Sequence, residues 1–269
     1  MIGLSTYAFF WQHSDRAPQP MDLPAMLRRT RELEADVFQI CDYLPILDYS
    51  DLELRNLKAL ASDLSVVLEL GTKGISNDHL NRFLRLAEAL DVKLIRSMVN
   101  TPEHRPSMAE AQTLINKIIP AYEASGVKLA LETYEQLSSR DLVALVESVG
   151  STSLGICLDP ANCVAALEYP KEVIDRCAPY VLNLHIKDFA FTRRGGWVGF
   201  TLEGVELGQG LLDYDYLIQA VRPDERGINQ VIEHWLTWHD TFDETSRIES
   251  SWNVNNLAYM KAANKLRNN

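Results

Sequence analysis

The chain lacks the features that would commit it to a membrane, to nucleic acid or to an oxidising compartment. No stretch of its 269 residues approaches the ~18 consecutive apolar residues of a bilayer span. Lys and Arg number 26 against 37 Asp and Glu, a formal charge of −11. A nucleic-acid partner needs a basic surface, and here the sum has the wrong sign. Cysteine is scarce: Cys41, Cys157, Cys163 and Cys177 form no C-x-x-C pair. A chain this long needs no disulfide staples. Ile40 and Ile156 beside two of these thiols mark them as core fillers in a reduced compartment. After Met1 there is no basic start leading into an apolar run with a cleavage site, so the cytoplasm is the expected location. Two nucleotide signatures are also missing: no G-x-G-x-x-G follows the first apolar run, and no G-x-x-x-x-G-K-[ST] occurs.

What is present is an alternation. Short apolar runs lie at 2–6, 37–41, 66–70, 92–95, 127–131, 154–158, 181–186 and 230–232. Each has the length and near-continuous apolarity of a buried parallel strand. Amphipathic stretches separate them, at 24–34, 51–62, 77–90, 107–122, 139–149, 170–178, 214–221 and 246–266. Strand and helix alternating eight times predict an α/β fold, a single (β/α)8 TIM barrel over residues 1–269. An open doubly wound sheet is the alternative, and it usually has fewer strands. Residues 189–212 form the one long irregular stretch; their aromatic and apolar content predicts an ordered loop after strand seven.

In a barrel, polar residues at the C-terminal strand tips converge on one site. Six of the eight runs end in an ionisable residue: Glu69, Arg96, Glu132, Asp159, His185 with Lys187 two residues on, and Glu233. Glu132, Asp159, His185 and Glu233 come from four successive strands. Three carboxylates and one imidazole on adjacent staves make a mostly oxygen ligand set for one divalent cation. Mn2+ is the first choice, with Mg2+, Co2+ or Zn2+ as alternatives. Read one at a time, each is an ordinary surface or ion-paired residue; together they point to a metal site.

These tips lie in motifs. L-E-T-Y at 131–134, C-L-D-P-A-N at 157–162, L-H-I-K-D at 184–188, L-G-Q-G at 207–210 and V-I-E at 231–233 resemble the xylose isomerase-like superfamily of TIM barrels. That superfamily includes sugar isomerases and epimerases, inosose dehydratase and AP endonucleases. The resemblance implies that Glu132, Asp159, His185 and Glu233 bind the metal, and that Glu132 and Glu233 move protons in the epimerases. One position departs: epimerases of this group often carry a histidine where this chain has Asn162. Asn162 cannot titrate, which leaves it a substrate hydroxyl contact or a helix cap. The endonucleases also need further histidine ligands, and only His185 and His234 lie near strand tips here.

A metal in such a site polarises a carbonyl and stabilises the charge that develops beside it. Isomerisation or epimerisation, dehydration and decarboxylation of a β-keto acid all draw on that charge. The second half of the chain is similar to a branch of the superfamily containing a decarboxylase of a 3-oxo sugar acid. With no histidine at 162 and cations available, that reaction leads. The alternative is a ketose 3-epimerase or aldose–ketose isomerase, followed by a sugar dehydratase or a non-enzymatic sugar-binding barrel. Arg96 and Lys187 are the expected carboxylate contacts, with Lys187 also the proton donor, unless Glu69, Glu132 or Asp188 pairs with them internally. Glu69 and Asn162 complete the substrate contacts. Trp11, Trp197 and Phe200 are expected to wall the pocket, and Arg193 and Arg194 to add positive potential. The expected partner is thus a small sugar acid or ketose, with no nucleic acid and no membrane; a homo-oligomer is compatible with the sequence.

Overall fold

The computed structural model describes residues 1–193 and 198–267. Eight parallel strands close a barrel: β1 (Ile2–Ser5), β2 (Val37–Cys41), β3 (Val67–Gly71), β4 (Leu94–Ser97), β5 (Lys128–Glu132), β6 (Leu154–Leu158), β7 (Val181–Ile186) and β10 (Asn229–Ile232). Each pairs with its neighbour in sequence order, and β10 closes the ring against β1. Between β7 and β10 an antiparallel ribbon, β8 (Asp188–Arg193) with β9 (Phe200–Val205), stands apart from the barrel. It takes up residues 189–193 and 200–205 of the stretch expected to be an irregular ordered loop. No helix of the described residues is long and apolar enough to cross a membrane.

The helices are α1 (Phe10–His13), α2 (Leu23–Glu32), α3 (Asp51–Asp63), α4 (Asn77–Leu90), α5 (Met108–Ser125), α6 (Ser139–Val149), α7 (Pro160–Val164), α8 (Pro170–Cys177), α9 (Tyr214–Val221), α10 (Pro223–Arg226) and α11 (Phe242–Arg267). Eight of them follow the predicted sequence positions because their caps are local; the short α1, α7 and α10 were not expected. Ser50 and Glu53 form a reciprocal capping box that starts α3, and Ser107 and Ser138 cap α5 and α6. The last helix starts earlier than its apolar period indicated. Thr241 Oγ1 accepts the Glu244 N–H at 3.2 Å, moving the start four residues upstream of Ser246.

Strand four also shifts. The apolar run 92–95 predicted its span, yet β4 begins at Leu94. Asp91 takes a left-handed conformation (φ 59°) and the Val92 N–H closes back on Ala87 O at 2.8 Å, which spends Val92 on the helix exit. Pairing with β5 then carries the ladder to Ser97. Arg96 therefore lies inside the strand, with its side chain in the barrel.

One carboxylate explains two of the sequence motifs. Asp188 follows the β7 tip and accepts four backbone N–H groups, from Phe189 (2.8 Å), Gly208 (3.0 Å), Gly210 (2.9 Å) and Leu212 (2.9 Å). It clamps the L-G-Q-G turn over the β8–β9 ribbon. A Cβ on Gly210 would lie 2.3 Å from Asp188 Oδ1, so glycine is required where the clamp closes. Gly204 is a further close approach, where a Cβ would meet the Trp235 side chain at 2.7 Å.

Candidate metal centre

The barrel interior carries two layers of polar side chains. The upper layer holds Glu132 at the end of β5, Asp159 just past β6, His185 near the end of β7 and Glu233 just past β10, all buried. Each offers one ligand atom, and these atoms lie within 4.8 Å of one another. Oxygen and nitrogen ligands at roughly 2.0–2.6 Å from a central dication stand at most about that far apart, so the donor set and its spacing fit one divalent cation. Two buried oxygens, Glu132 Oε2 and Asp159 Oδ2, have no hydrogen-bond partner. Both sit at ion-pair distance from a cation, Glu132 Oε2 at 2.5 Å from Arg96 Nη2 and Asp159 Oδ2 at 2.7 Å from Lys187 Nζ, without the alignment of a hydrogen bond.

Local backbone and neighbouring side chains fix this layer. Pro160 begins α7, and Asp159 is its N-cap: Oδ1 accepts the N–H groups of Ala161 (3.0 Å) and Asn162 (3.3 Å), leaving Oδ2 turned to the centre. The cap role weighed for Asn162 thus belongs to Asp159. Asn162 Nδ2 instead faces Glu132 Oε1 at 3.4 Å and Thr133 O at 3.2 Å. His185 Nδ1 lies 2.8 Å from Glu132 Oε1 and 3.4 Å from Glu233 Oε1. Ser5 Oγ donates to Glu233 Oε1 at 3.3 Å.

Cations balance this acidic layer. Lys187 Nζ bridges Asp159 Oδ2 and Glu233 Oε2 (2.9 Å) and lies 4.9 Å from the Trp235 ring centre. Arg96 spans Glu132 and Asp42, donating also to Thr72 O at 2.9 Å. Internal pairing was the alternative for both cations, and it is what the structure shows, with partners partly different from those expected. Burial opposes the charge on Lys187, but Asp159, Glu233 and Glu132 outweigh it and raise its pKa. Burial of Asp159 pushes its carboxyl up to about 6 despite Lys187, with Glu132 and Glu233 adding to the rise. Glu233 moves the other way: burial disfavours its charge, yet His185 and Lys187 hold it well below the usual range.

The lower layer is different in kind. Glu69 lies in the middle of β3 rather than at a tip, and it is buried below the upper layer. It accepts from Asn229 Nδ2 (2.7 Å), Asn183 Nδ2 (3.0 Å) and Gln39 Nε2 (3.1 Å). Burial raises its pKa against the pull of these amides. It therefore does not reach the cavity above, which corrects its expected role as a substrate contact.

That cavity, about 200 Å³, opens above the upper layer and is lined by Tyr7, Lys73, Arg96, Lys187, Glu233 and Trp235 among others. It is smaller than the roughly 300–1,000 Å³ of drug-sized sites, which suits a small polar substrate. Lys73 is half exposed at its edge, with Asp42 Oδ2 at 3.2 Å. Six lining residues were not expected as site residues from the sequence, Tyr7, Lys73, Met98, Tyr134, His234 and Trp235; of these Tyr7, Lys73 and Tyr134 stand two residues past the ends of β1, β3 and β5. Strand-tip reading stopped short of them. Trp11 packs elsewhere, its ring centre 5.2 Å from that of Trp238 and its Nε1 donating to Leu236 O at 2.8 Å. It does not wall the cavity, because its ring is spent on that cluster. Phe200 and Arg193 stack on the exposed ribbon at 4.7 Å. Trp197 and Arg194 lie outside the described residues.

Comparison with known proteins places this geometry. The family model described as xylose isomerase-like TIM barrel matches residues 27–252. The chain is 54% identical over 267 residues to the 3-oxo-isoapionate decarboxylase of Pectobacterium atrosepticum, covering 99% of this chain and 97% of that protein. Among solved structures, D-psicose 3-epimerase crystallised with D-fructose superposes with a TM-score of 0.74 at 16% identity, over 97% of this chain and 98% of that one. A Mycobacterium smegmatis xylose isomerase-like barrel in complex with magnesium gives 0.68 at 19% identity, over 96% and 97%. At such identities the solved structures report the fold alone.

Proposed function

The chain belongs to the xylose isomerase-like TIM barrel family, and on that premise we propose that it is a divalent-metal-dependent decarboxylase of a 3-oxo sugar acid of the 3-oxo-isoapionate type. The observation that carries this reading is the 54% identity to a decarboxylase of that name along nearly the whole of both chains. Glu132, Asp159, His185 and Glu233 would hold the cation, Mn2+ by preference for a mostly oxygen set. When bound, it supplies Lewis-acid polarisation of the 3-oxo group, so that negative charge is tolerated on that oxygen.

The protein's own groups do the rest. Arg96 and Lys187 are held by internal carboxylates, so the half-exposed Lys73 at the cavity edge is the cation with most freedom to seat the substrate carboxylate. Asn162 and Tyr7 offer hydrogen bonds to sugar hydroxyls. Trp235 covers Lys187 and limits water at the reacting carbon. The bond between the carboxylate and the carbon beside the 3-oxo group breaks, CO2 leaves, and the electron pair stays on that carbon as the enolate. Lys187 holds a proton at Nζ within the cavity, and an enolate carbon is a far stronger base than an amine, so the proton passes to carbon and solvent returns it to Nζ.

Manganese-loaded protein mixed with 3-oxo-isoapionate should release CO2, and in deuterated water the product should carry one solvent deuterium at the former carboxylated carbon. Deuterium entering a ketose with no CO2 release would replace this reading with the epimerase or isomerase, in which Glu132 and Glu233 exchange the protons.

A further inference from the structure

The lower polar layer has no part in the chemistry just described, yet it reaches one ligand. Gln39 Oε1 lies 2.8 Å from His185 Nε2. The orientation of that amide is settled by its other end. Gln39 Nε2 faces two acceptors, Glu69 Oε2 at 3.1 Å and Asn183 Oδ1 at 3.2 Å. A carboxylate accepts and does not donate, so the amide nitrogen must point to Glu69 and the amide oxygen to the imidazole. Asn183 and Asn229 agree, since both turn their amide nitrogens to Glu69. A carbonyl oxygen opposite Nε2 accepts only, so Nε2 carries a proton, and Nδ1, turned to Glu132 and Glu233, is the nitrogen left to face a metal.

We propose that Glu69 is a positioning residue which, through Gln39, holds His185 with a proton on Nε2 and its Nδ1 turned to the cation site. The proposal rests on the metal-centre reading. It gives a purpose to a buried carboxylate 2% exposed, whose burial is otherwise a cost. Partners that fix the orientation of a ligating histidine typically change metal affinity by about 10–100-fold.

The test is Mn2+ titration calorimetry on metal-stripped protein. Glu69→Gln can turn its own amide nitrogen to Gln39, letting that side chain flip and offer Nε2 a donor instead of an acceptor. Manganese binding should weaken by about 10–100-fold while the metal-free melting temperature changes little. The double variant Glu69→Gln with Gln39→Glu restores an acceptor opposite His185 Nε2 and should recover most of the affinity, which repair of packing alone would not do. Equal affinity in wild type and Glu69→Gln overturns the proposal, and so does a loss that the double variant fails to recover. Should the variants not fold, nitrogen-15 histidine spectra of Zn2+-loaded wild type decide it: a protonated, metal-free Nε2 is expected, and a metal-bound Nε2 refutes it. Failure of the wild type itself to bind any dication would instead strike the metal-centre reading.

Discussion

Two polar layers lie one above the other in the same barrel, both buried and both rich in carboxylate, and they are built on opposite principles. In the lower layer Glu69 meets three neutral amides and its hydrogen bonds are made. In the upper layer Glu132, Asp159 and Glu233 meet cations at short range, and two of their oxygens lack a hydrogen bond. A satisfied buried network costs little and specifies geometry; an unsatisfied one is retained where a ligand completes it. Burial and charge alone would have ranked the layers together. Hydrogen-bond completeness separates the layer proposed to hold a cation from the layer beneath it.

The sharpest way to break the comparison is in the upper layer. Glu233→Gln removes a ligand charge and one partner of Lys187. Decarboxylation followed by CO2 release should fall by about 10²–10⁴-fold, whereas an activity near wild type would reduce the upper layer to a structural cluster. His185→Ala comes next: elemental analysis should find less metal per chain than in wild type, and an equal content would refute the ligand assignment. Lys73→Met tests the proposed carboxylate seat at the cavity edge. A rise in KM of about tenfold with kcat little changed is expected for loss of uniform binding, roughly 1.4 kcal/mol, and a fall in kcat alone would move Lys73 into the chemical step. Metal should raise the wild-type melting temperature by mass action, about 2.7 kcal/mol at a hundredfold excess over Kd, and Asp159→Asn should shrink that increment. The smallest effect belongs to the lower layer. Asn229→Ala strips one of three donors from Glu69 and should cost about 1 kcal/mol in urea unfolding, with metal affinity nearly unchanged because Gln39 keeps its orientation.

Much of this was legible from residue order. Strand and helix alternation specified the barrel, because a short apolar run between amphipathic segments has few other ways to be buried. The convergence of Glu132, Asp159, His185 and Glu233 was legible too, since each stands at or just past the end of an apolar strand on neighbouring staves of the barrel. Glu69 shows the limit. It ends the run Val66–Leu68 as Glu132 ends its own, but the ladder with β2 continues past it to Gly71, and two further residues of strand put it a layer lower. Trp11 and Phe200 were misplaced for a related reason: an aromatic side chain carries no sign of which of several apolar neighbours it will meet.

The sequence by itself determined the order of elements, their caps and the ionisable residues at the mouth, since these depend on neighbours a few positions apart. Only the tertiary structure decided the depth of each side chain in the barrel, the pairing of Arg96 and Lys187 with the carboxylates, and the amide chain from Glu69 to His185. Those are set by strand register around a closed ring, where residues more than a hundred positions apart, such as Glu69 and Asn183, come within a hydrogen bond. No local pattern records a register that appears only when the last strand closes on the first.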